Sequence, residues 1–192
     1  MSRLVLGCGS SVEYVPHAAA MLHSMLEQRD GLEVEAHYLH GPEMPRETLR
    51  VLGEMVERGG GTLVTHELSD ERIAGLPSMS FIPATMWYRI YLPELLPDVS
   101  RILYLDADTI AVDSLSELWA TDISEHYVAA VTNVFEPWNR VYPQALGLPT
   151  EEAYFNSGVL LMNLDAMRRD DTTRALRDYA LAAPRNRIAW GD

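Results

Sequence analysis

The chain alternates short apolar segments with longer segments whose apolar residues recur at helical spacing. Residues 3–8 contain an unbroken apolar run from Leu4 to Leu6, and Arg101–Leu105 contains a second apolar run. A short run that is apolar at successive positions predicts a strand buried on both faces, as in parallel sheets. Residues 14–28 instead carry a helical stripe of apolar side chains. Strands that alternate with helices predict an α/β fold with a mainly parallel sheet flanked by helices.

The same patterns predict the other elements. Strands are expected over 32–39, 62–68, 127–132 and 158–163, and helices over 45–58, 86–96, 114–119 and 171–182. Pro45 suits the first turn of its helix, which the glycine run beginning at Gly59 ends. Ser114 and Glu117 have the spacing of a capping box. Because no repeat or linker interrupts the pattern, we expect a single domain over residues 1–192.

Composition excludes several classes of function. The net charge is −13, which disfavours binding to nucleic acid phosphates. All 15 cationic side chains are arginines. The absence of lysine excludes a phosphate-binding loop of the kind that needs a lysine, and it also excludes Schiff-base chemistry.

Cys8 is the only cysteine, so no internal disulfide can form, and we expect a small buried residue at this position. No signal peptide or apolar stretch of about 20 residues is present, which favours a cytoplasmic protein without a transmembrane segment.

Asp106 and Asp108 directly follow the apolar strand Arg101–Leu105, with Ala107 between them. Ligands of open α/β sheets bind beyond the carboxyl ends of strands. In extended backbone the two carboxylates project to one side, where a shared Mg²⁺ or Mn²⁺ would relieve their repulsion and could hold a diphosphate. The alternative is a pair of solvated loop aspartates.

The segment 101–110 fits two enzyme patterns. In the haloacid-dehalogenase-like phosphatases, the first aspartate is phosphorylated and the second acts as general acid or base, so Asp106 would be the nucleophile and Asp108 the acid or base. That family usually has its nucleophile on the first strand and a phosphate-stabilising lysine, whereas this chain has a preceding strand–helix–strand–helix–strand region and no lysine. Ile110 also stands where the phosphatase pattern has threonine or valine. The other pattern is the Asp-x-Asp metal motif of nucleotide-sugar glycosyltransferases.

The glycosyltransferase pattern extends beyond the two aspartates. Residues 86–93, 103–108, 113–119 and 154–164, with the helix start at 14–17, resemble the retaining glycosyltransferases of family 8, including lipopolysaccharide galactosyl- and glucosyltransferases. The resemblance implies a GT-A, Rossmann-like nucleotide-diphosphosugar fold. It also implies transfer of a hexose from a UDP-sugar donor to a saccharide or glycolipid acceptor, with retention of configuration and a divalent cation, usually Mn²⁺.

The resemblance also implies roles for the central residues. Asp106 and Asp108 would bind the metal, with Asp106 the nearer to the nucleotide ribose, and Ala107 between them would belong to the same cofactor-binding segment. Arg89 would face the diphosphate and the donor sugar, where it would act in catalysis. Its alternative is a surface arginine paired with Glu94.

Three later residues are implicated in the same way. Asn156 would hydrogen-bond the sugar hydroxyls and act in catalysis, and Gly158 would let the backbone approach the ligand closely. The alternative for Asn156 is a turn residue that opens the next strand. Asn133 follows a predicted strand, where the family often has an aspartate near the sugar. Trp87 and Trp119 are expected in the core rather than as platforms for sugars.

Two regions depart from the family pattern. After the first strand, residues 10–13 replace an acidic pair and an asparagine that contact the uridine, so only Ser11 or Glu13 could supply those contacts. The family's third metal ligand is a histidine in a later region, and none of the six histidines corresponds to it. Asp192 would be the first residue of an Asp-Gln-Asp donor-site motif of the family and would act in catalysis.

We therefore expect a C-terminally truncated donor-binding part. A catalytically silent nucleotide-sugar-binding fragment is a third interpretation. Acceptor-side elements and any tail that docks the enzyme peripherally on a membrane would lie in the longer form. The sequence assigns no particular sugar, acceptor or oligomeric state.

Overall fold

The computed structural model describes residues 3–78, 83–134 and 142–182. Within these ranges six strands form one sheet in the order β3-β2-β1-β4-β6-β5. The strands are β1 (Arg3–Gly9), β2 (Glu33–His40), β3 (Gly61–Glu67), β4 (Arg101–Leu105), β5 (Val128–Ala129) and β6 (Val159–Asn163). Pairings among β1 to β4 are parallel, whereas β6 is antiparallel to both neighbours. The predicted α/β fold with a mainly parallel sheet is confirmed.

Helices cover this sheet. They are α1 (Val15–Glu27), α2 (Arg46–Arg58), α3 (Asp70–Ile73), α4 (Leu92–Leu95), α5 (Ser116–Ala120), α6 (Tyr142–Ala145), α7 (Leu164–Arg169) and α8 (Thr172–Ala182), with 3₁₀ helices at Val12–Tyr14, Ala84–Tyr91 and Glu151–Ala153. As predicted, α2 ends at Gly59; Gly60 then takes a φ of 79° and β3 begins. None of the helices in the described ranges has the length and apolar character needed to cross a membrane.

The two faces of the sheet pack against different helices. On β4, Leu103 and Leu105 belong to an apolar cluster with α1 and α2. Their neighbours Ile102 and Tyr104 point to the opposite cluster, which includes the 3₁₀ helix Ala84–Tyr91 and α7. This alternation follows from the two-residue period of a strand. It places Tyr104 on the same face of the sheet as the 3₁₀ helix.

Cys8 lies near the end of β1 and is 1% exposed. Burial raises the pKa of its thiol to about 12, because the charged thiolate would lose its hydration. The thiol therefore stays protonated, and the predicted role as a small core residue is confirmed.

The helical segment predicted over 86–96 is present, but it is divided into two helices of different kinds. The 3₁₀ helix Ala84–Tyr91 is followed by α4, which carries Pro93 in its first turn. A proline is tolerated there because the first N–H groups of a helix have no partner within it. Pro93 therefore lies close to the junction of the two helices, in the first turn of the second. Helix α7 is absent from the sequence prediction; it follows β6 directly, and the Asn163 side chain accepts a bond from the Ala166 N–H at 3.0 Å.

Two other local predictions need correction. The strand expected over 127–132 is reduced to β5, which pairs with Met162 and Leu161 of β6, and to an isolated bridge from Thr132 to Phe155. The capping box is also wrong. Helix α5 begins at Ser116, and the Ser114 hydroxyl accepts a 3.2 Å bond from the Ser116 N–H instead of the bond expected from the Glu117 N–H.

Candidate active site

The centre of the site is the junction between β4 and β6. Asp106 directly follows β4, and Gly158 directly precedes β6. Because the two strands are antiparallel, these residues lie side by side, and the Asp106 N–H donates to the Gly158 carbonyl at 2.8 Å. This junction lies at the carboxyl end of β4, the edge at which ligands bind in open α/β sheets.

Arg89 reaches this junction from the 3₁₀ helix Ala84–Tyr91. Its Nη1 donates to the carbonyl and the hydroxyl of Ser157 at 2.6 and 2.7 Å, and its Nε donates to the Met86 carbonyl at 3.0 Å. Its Nη2 lies 3.2 Å from Asp106 Oδ1, and the side chain is only 13% exposed. The alternative pairing with Glu94 is not observed, since Glu94 pairs with Arg72. Arg89 is thus a fixed, half-buried positive charge beside Asp106.

Tyr104 lies beneath this ion pair. Its hydroxyl donates to Asp106 Oδ1 at 2.9 Å, and the centre of the Arg89 guanidinium lies 4.8 Å from the centroid of its ring. Burial raises the pKa of Tyr104 far above that of a free phenol, and the nearby Asp106 carboxylate adds to the effect. The phenol therefore stays protonated and acts as a hydrogen-bond donor.

Gly158 leaves space between two oxygens of the site. A Cβ atom at this position would lie 3.1 Å from Asp106 Oδ2 and 3.1 Å from Asn156 Oδ1. The Gly158 N–H donates to Asn156 Oδ1 at 2.9 Å, an arrangement that matches the alternative role of Asn156 as a turn residue opening the strand. The structure thus brings Asn156, Gly158 and Asp106 together, as the sequence predicts.

Asp108 lies in the turn that follows β4. Its side chain is exposed, whereas Ala107 before it is buried. The N–H and the hydroxyl of Thr109 both bond to the Asp106 carbonyl, at 3.2 and 2.9 Å, which closes the turn. No group of three or more histidine, cysteine, aspartate or glutamate side chains within 3–78, 83–134 and 142–182 is placed to hold a metal ion. The two aspartates therefore remain a predicted, incomplete ligand set.

The predicted uridine-contacting residues follow β1, which lies next to β4 in the sheet. Ser10 is buried, and its hydroxyl lies 2.5 Å from the Tyr38 hydroxyl. Ser11 precedes the 3₁₀ turn Val12–Tyr14, and Glu13 is exposed within that turn. Hydrogen bonds from the Glu13 backbone N–H and the Ser11 side chain lower the pKa of the Glu13 carboxyl. Glu13 is therefore an exposed anion at the carboxyl end of β1.

Asn133 lies on a segment that is hydrogen-bonded to the residues just before Gly158. Its N–H donates to the Tyr154 carbonyl at 3.0 Å, and the Asn156 N–H donates to the Val131 carbonyl at 2.9 Å. These two bonds place Asn133 and Asn156 on adjacent antiparallel segments. The predicted catalytic residue Asp192 lies outside the described residues.

The two tryptophans of interest pack against the core, in agreement with the prediction. Trp119 is half-buried and lies under Arg101, whose guanidinium centre is 4.4 Å from the indole ring. Trp87 is also half-buried, and its indole N–H donates to the Pro77 carbonyl at 2.7 Å. Trp87 also lines a mostly apolar cavity of about 380 Å³, and Arg89 and Ser157 form part of the wall of the same cavity.

Two residues of the site, Tyr104 and Ser157, are missing from the set predicted from sequence. Tyr104 could have been predicted from the two-residue period of β4, because this period places Tyr104 on the same face as Asp106. For Ser157 there is no comparable local signal, because Arg89 is distant in sequence and reaches Ser157 through the tertiary fold.

Known proteins show the same architecture. The solved structure of the galactosyltransferase LgtC, in complex with donor and acceptor sugar analogues, matches this chain with a TM-score of 0.80 and 25% sequence identity. The match covers 98% of this chain and 70% of the LgtC chain. The glycosyltransferase GlyE of Streptococcus pneumoniae matches with a TM-score of 0.66 and 20% identity, covering 93% of this chain and 38% of that one. These matches support a GT-A glycosyltransferase fold.

Sequence relatives agree with the structural matches. General stress protein A of Bacillus subtilis is 25% identical over 178 residues, which is 91% of this chain and 60% of that protein. Lipopolysaccharide 1,2-glucosyltransferase of Escherichia coli is 25% identical over 157 residues, 81% of this chain and 46% of that protein. The chain thus spans about half to three fifths of these relatives.

The family model described as glycosyl transferase family 8 matches residues 6–192. This match covers nearly the whole chain, and it decides between the two enzyme patterns in favour of the glycosyltransferases. The chain belongs to glycosyl transferase family 8.

Proposed function

We propose that the chain is the donor-binding part of a hexosyltransferase. It would transfer a hexose from a UDP-sugar to a glycan or lipopolysaccharide-type acceptor, with retention of configuration and with a divalent cation. The observation that carries the proposal is the cluster of Arg89, Asp106, Asn156 and Gly158 at the carboxyl end of β4. The glucosyltransferase relative and the galactosyltransferase with bound sugar analogues support it.

Asp106 and Asp108 are the proposed ligands for Mn²⁺ or Mg²⁺. Carboxylate oxygens are hard donors that suit both ions. The fit rests on Gly158, because the missing side chain leaves a space beside Asp106 Oδ2 that a Cβ atom would fill. A divalent cation bound there would act as a Lewis acid toward the diphosphate of the donor.

Arg89 would stabilise the negative charge that develops on the diphosphate. Three of its nitrogens are already held by Met86, Ser157 and Asp106, so the guanidinium does not have to reorganise as the reaction proceeds. A fixed cation in a half-buried position stabilises developing charge better than a mobile, hydrated one. In this proposal Arg89 is a catalytic residue.

The proposed reaction exchanges one bond at the anomeric carbon of the sugar. The bond to the diphosphate oxygen breaks, and the acceptor hydroxyl oxygen bonds to the anomeric carbon while its proton passes to the departing diphosphate. Asp106 and Asp108 are assigned to the metal, so we assign no described carboxylate as a covalent nucleophile. Attack from the same face as the leaving group is compatible with this assignment.

The remaining residues would bind the donor. Ser11 and Glu13 are proposed to contact the uridine, because they follow β1 at the same sheet edge as Asp106. Asn156 and Asn133, on adjacent segments, are proposed to contact the sugar hydroxyls. Asp192 stays a proposed catalytic residue on the resemblance alone.

Thermal-shift titration with UDP-sugars tests the proposal. We expect the melting temperature to rise only when both a UDP-sugar and Mn²⁺ are present, because each would complete the site of the other. A transfer or UDP-sugar hydrolysis assay then separates an active enzyme from a catalytically silent nucleotide-sugar-binding fragment. No shift with UDP-sugars, together with Mg²⁺-dependent hydrolysis of a phosphate ester, would refute the proposal.

A further inference from the structure

We propose that Tyr104 is a positioning residue that holds the Asp106 carboxylate and the Arg89 guanidinium in a fixed mutual orientation. The inference rests on the proposed function and deepens it. Tyr104 would touch neither the metal nor the donor. It would act through the two charged groups that do.

The Asp106 carboxylate is held in one orientation. Asp106 Oδ1 receives the Tyr104 hydroxyl at 2.9 Å and faces Arg89 Nη2 at 3.2 Å. Its second oxygen, Oδ2, lies 3.1 Å from the position that a Cβ of Gly158 would take. The two oxygens are therefore distinguished: Oδ1 faces Tyr104 and Arg89, and Oδ2 faces the space beside Gly158. Rotation of the carboxylate would break the bond to Tyr104.

The Arg89 guanidinium is held on the ring of Tyr104. The Arg89 centre lies 4.8 Å from the centroid of the Tyr104 ring, within the range of a cation–π contact. Ser157 and Met86 hold two further nitrogens of the same group. The ring supports one side of the guanidinium, and the Ser157 and Met86 oxygens fix its direction.

Tyr104 is itself held rigidly in the sheet. It lies on β4, between β1 and β6 in the sheet, and it is 2% exposed. Gly7 of β1 is its partner in the strand register. A buried side chain on an inner strand has little freedom to change rotamer, so it can hold the groups that contact it. One residue thus orients a proposed metal ligand and a proposed catalytic cation.

The test compares two tyrosine-to-phenylalanine variants. Tyr104→Phe keeps the ring under Arg89 and removes the hydroxyl from Asp106. Tyr91→Phe is the matched control, because Tyr91 is also buried and its hydroxyl donates to the Arg72 carbonyl, away from Asp106. For each protein, the Kd for UDP at saturating Mn²⁺ is measured by calorimetry and the melting temperature by unfolding without ligand.

We expect Tyr104→Phe to weaken UDP binding by about tenfold to a hundredfold, the range found when hydrogen-bond partners of metal ligands are removed. Tyr91→Phe should bind UDP as the wild type does, even if its melting temperature falls as much as that of Tyr104→Phe. Equal UDP affinity of Tyr104→Phe and wild type would overturn the positioning role. A wild-type protein that does not bind UDP would instead overturn the proposed function, so the two failures are distinguishable.

A second variant keeps the inference testable where Tyr104→Phe does not fold. Ser157→Ala removes a hydroxyl acceptor of Arg89 and leaves the Ser157 backbone carbonyl in place. If Arg89 must be held in one orientation, UDP binding should weaken severalfold in Ser157→Ala. Unchanged binding there would contradict the requirement for a fixed guanidinium and overturn the inference.

Discussion

Gly158→Ala tests the space on which the proposed metal site depends. The new Cβ would lie 3.1 Å from Asp106 Oδ2 and from Asn156 Oδ1, and 3.6 Å from Asp106 Cγ. Contacts this close force the neighbouring atoms to move by a few tenths of an ångström. The methyl group therefore displaces a proposed metal ligand and a proposed sugar ligand together.

The expected cost is small for folding and larger for binding. Overpacking of this kind costs about 1 to 3 kcal/mol. We expect the lower end, because the Asp106 side chain is 35% exposed and can shift toward solvent. Functional groups tolerate displacements of only about 0.5 Å, and the displaced carboxylate also loses its fit to Tyr104. We expect UDP affinity at saturating Mn²⁺ to fall about tenfold, which corresponds to about 1.4 kcal/mol.

Calorimetric titration with UDP at saturating Mn²⁺, beside thermal unfolding without ligand, measures both effects. Gly53→Ala is the matched control: Gly53 lies in α2, and an added Cβ meets nothing within 4 Å. An alanine in a helix interior is favoured over glycine by about 0.5 to 1 kcal/mol, so this variant should melt higher and bind UDP normally. Wild-type UDP affinity in Gly158→Ala would show that the proposed ligand does not use this space.

Three further predictions concern other groups. Asp108→Asn should abolish Mn²⁺-dependent UDP binding with the melting temperature unchanged, because Asp108 is exposed; retained binding in calorimetry would contradict the metal assignment. Arg89→Lys should lower kcat at least about tenfold, since an ammonium cannot keep the contacts that a planar guanidinium makes; unchanged turnover of UDP-sugar would refute a fixed cation. Burial lowers the pKa of His37 and of His66, whose ring nitrogens lie 2.9 Å apart. As the pH falls, the unfolded state therefore takes up protons before the folded state does, and the melting temperature should fall below about pH 6.5. His37→Gln should weaken this pH dependence of the melting temperature, whereas His23→Gln, at an exposed histidine, should leave it intact.

The sequence was sufficient to predict most of the first part of the fold. The apolar runs of β1 and β4 and the helical stripe of α1 have periods that local geometry dictates, and their observed bounds agree with the prediction to within one or two residues. The 3₁₀ helix Ala84–Tyr91 was not predictable in this way, because its apolar spacing over eight residues also fits an α-helix. Its tertiary contacts, such as that of Arg89 with Ser157, are likewise not recorded in any local pattern.

The direction of β6 illustrates the same limit and explains how the site is assembled. An apolar run of five residues predicts a strand equally well whether its neighbour is parallel or antiparallel, so β6 could be located but not oriented. Its antiparallel pairing with β4 has a direct chemical consequence. In a parallel pair, the start of β6 would lie at the opposite edge from the end of β4. In the antiparallel pair, the residues before β6 meet the residues after β4, and this is what brings Gly158 and Asn156 to Asp106.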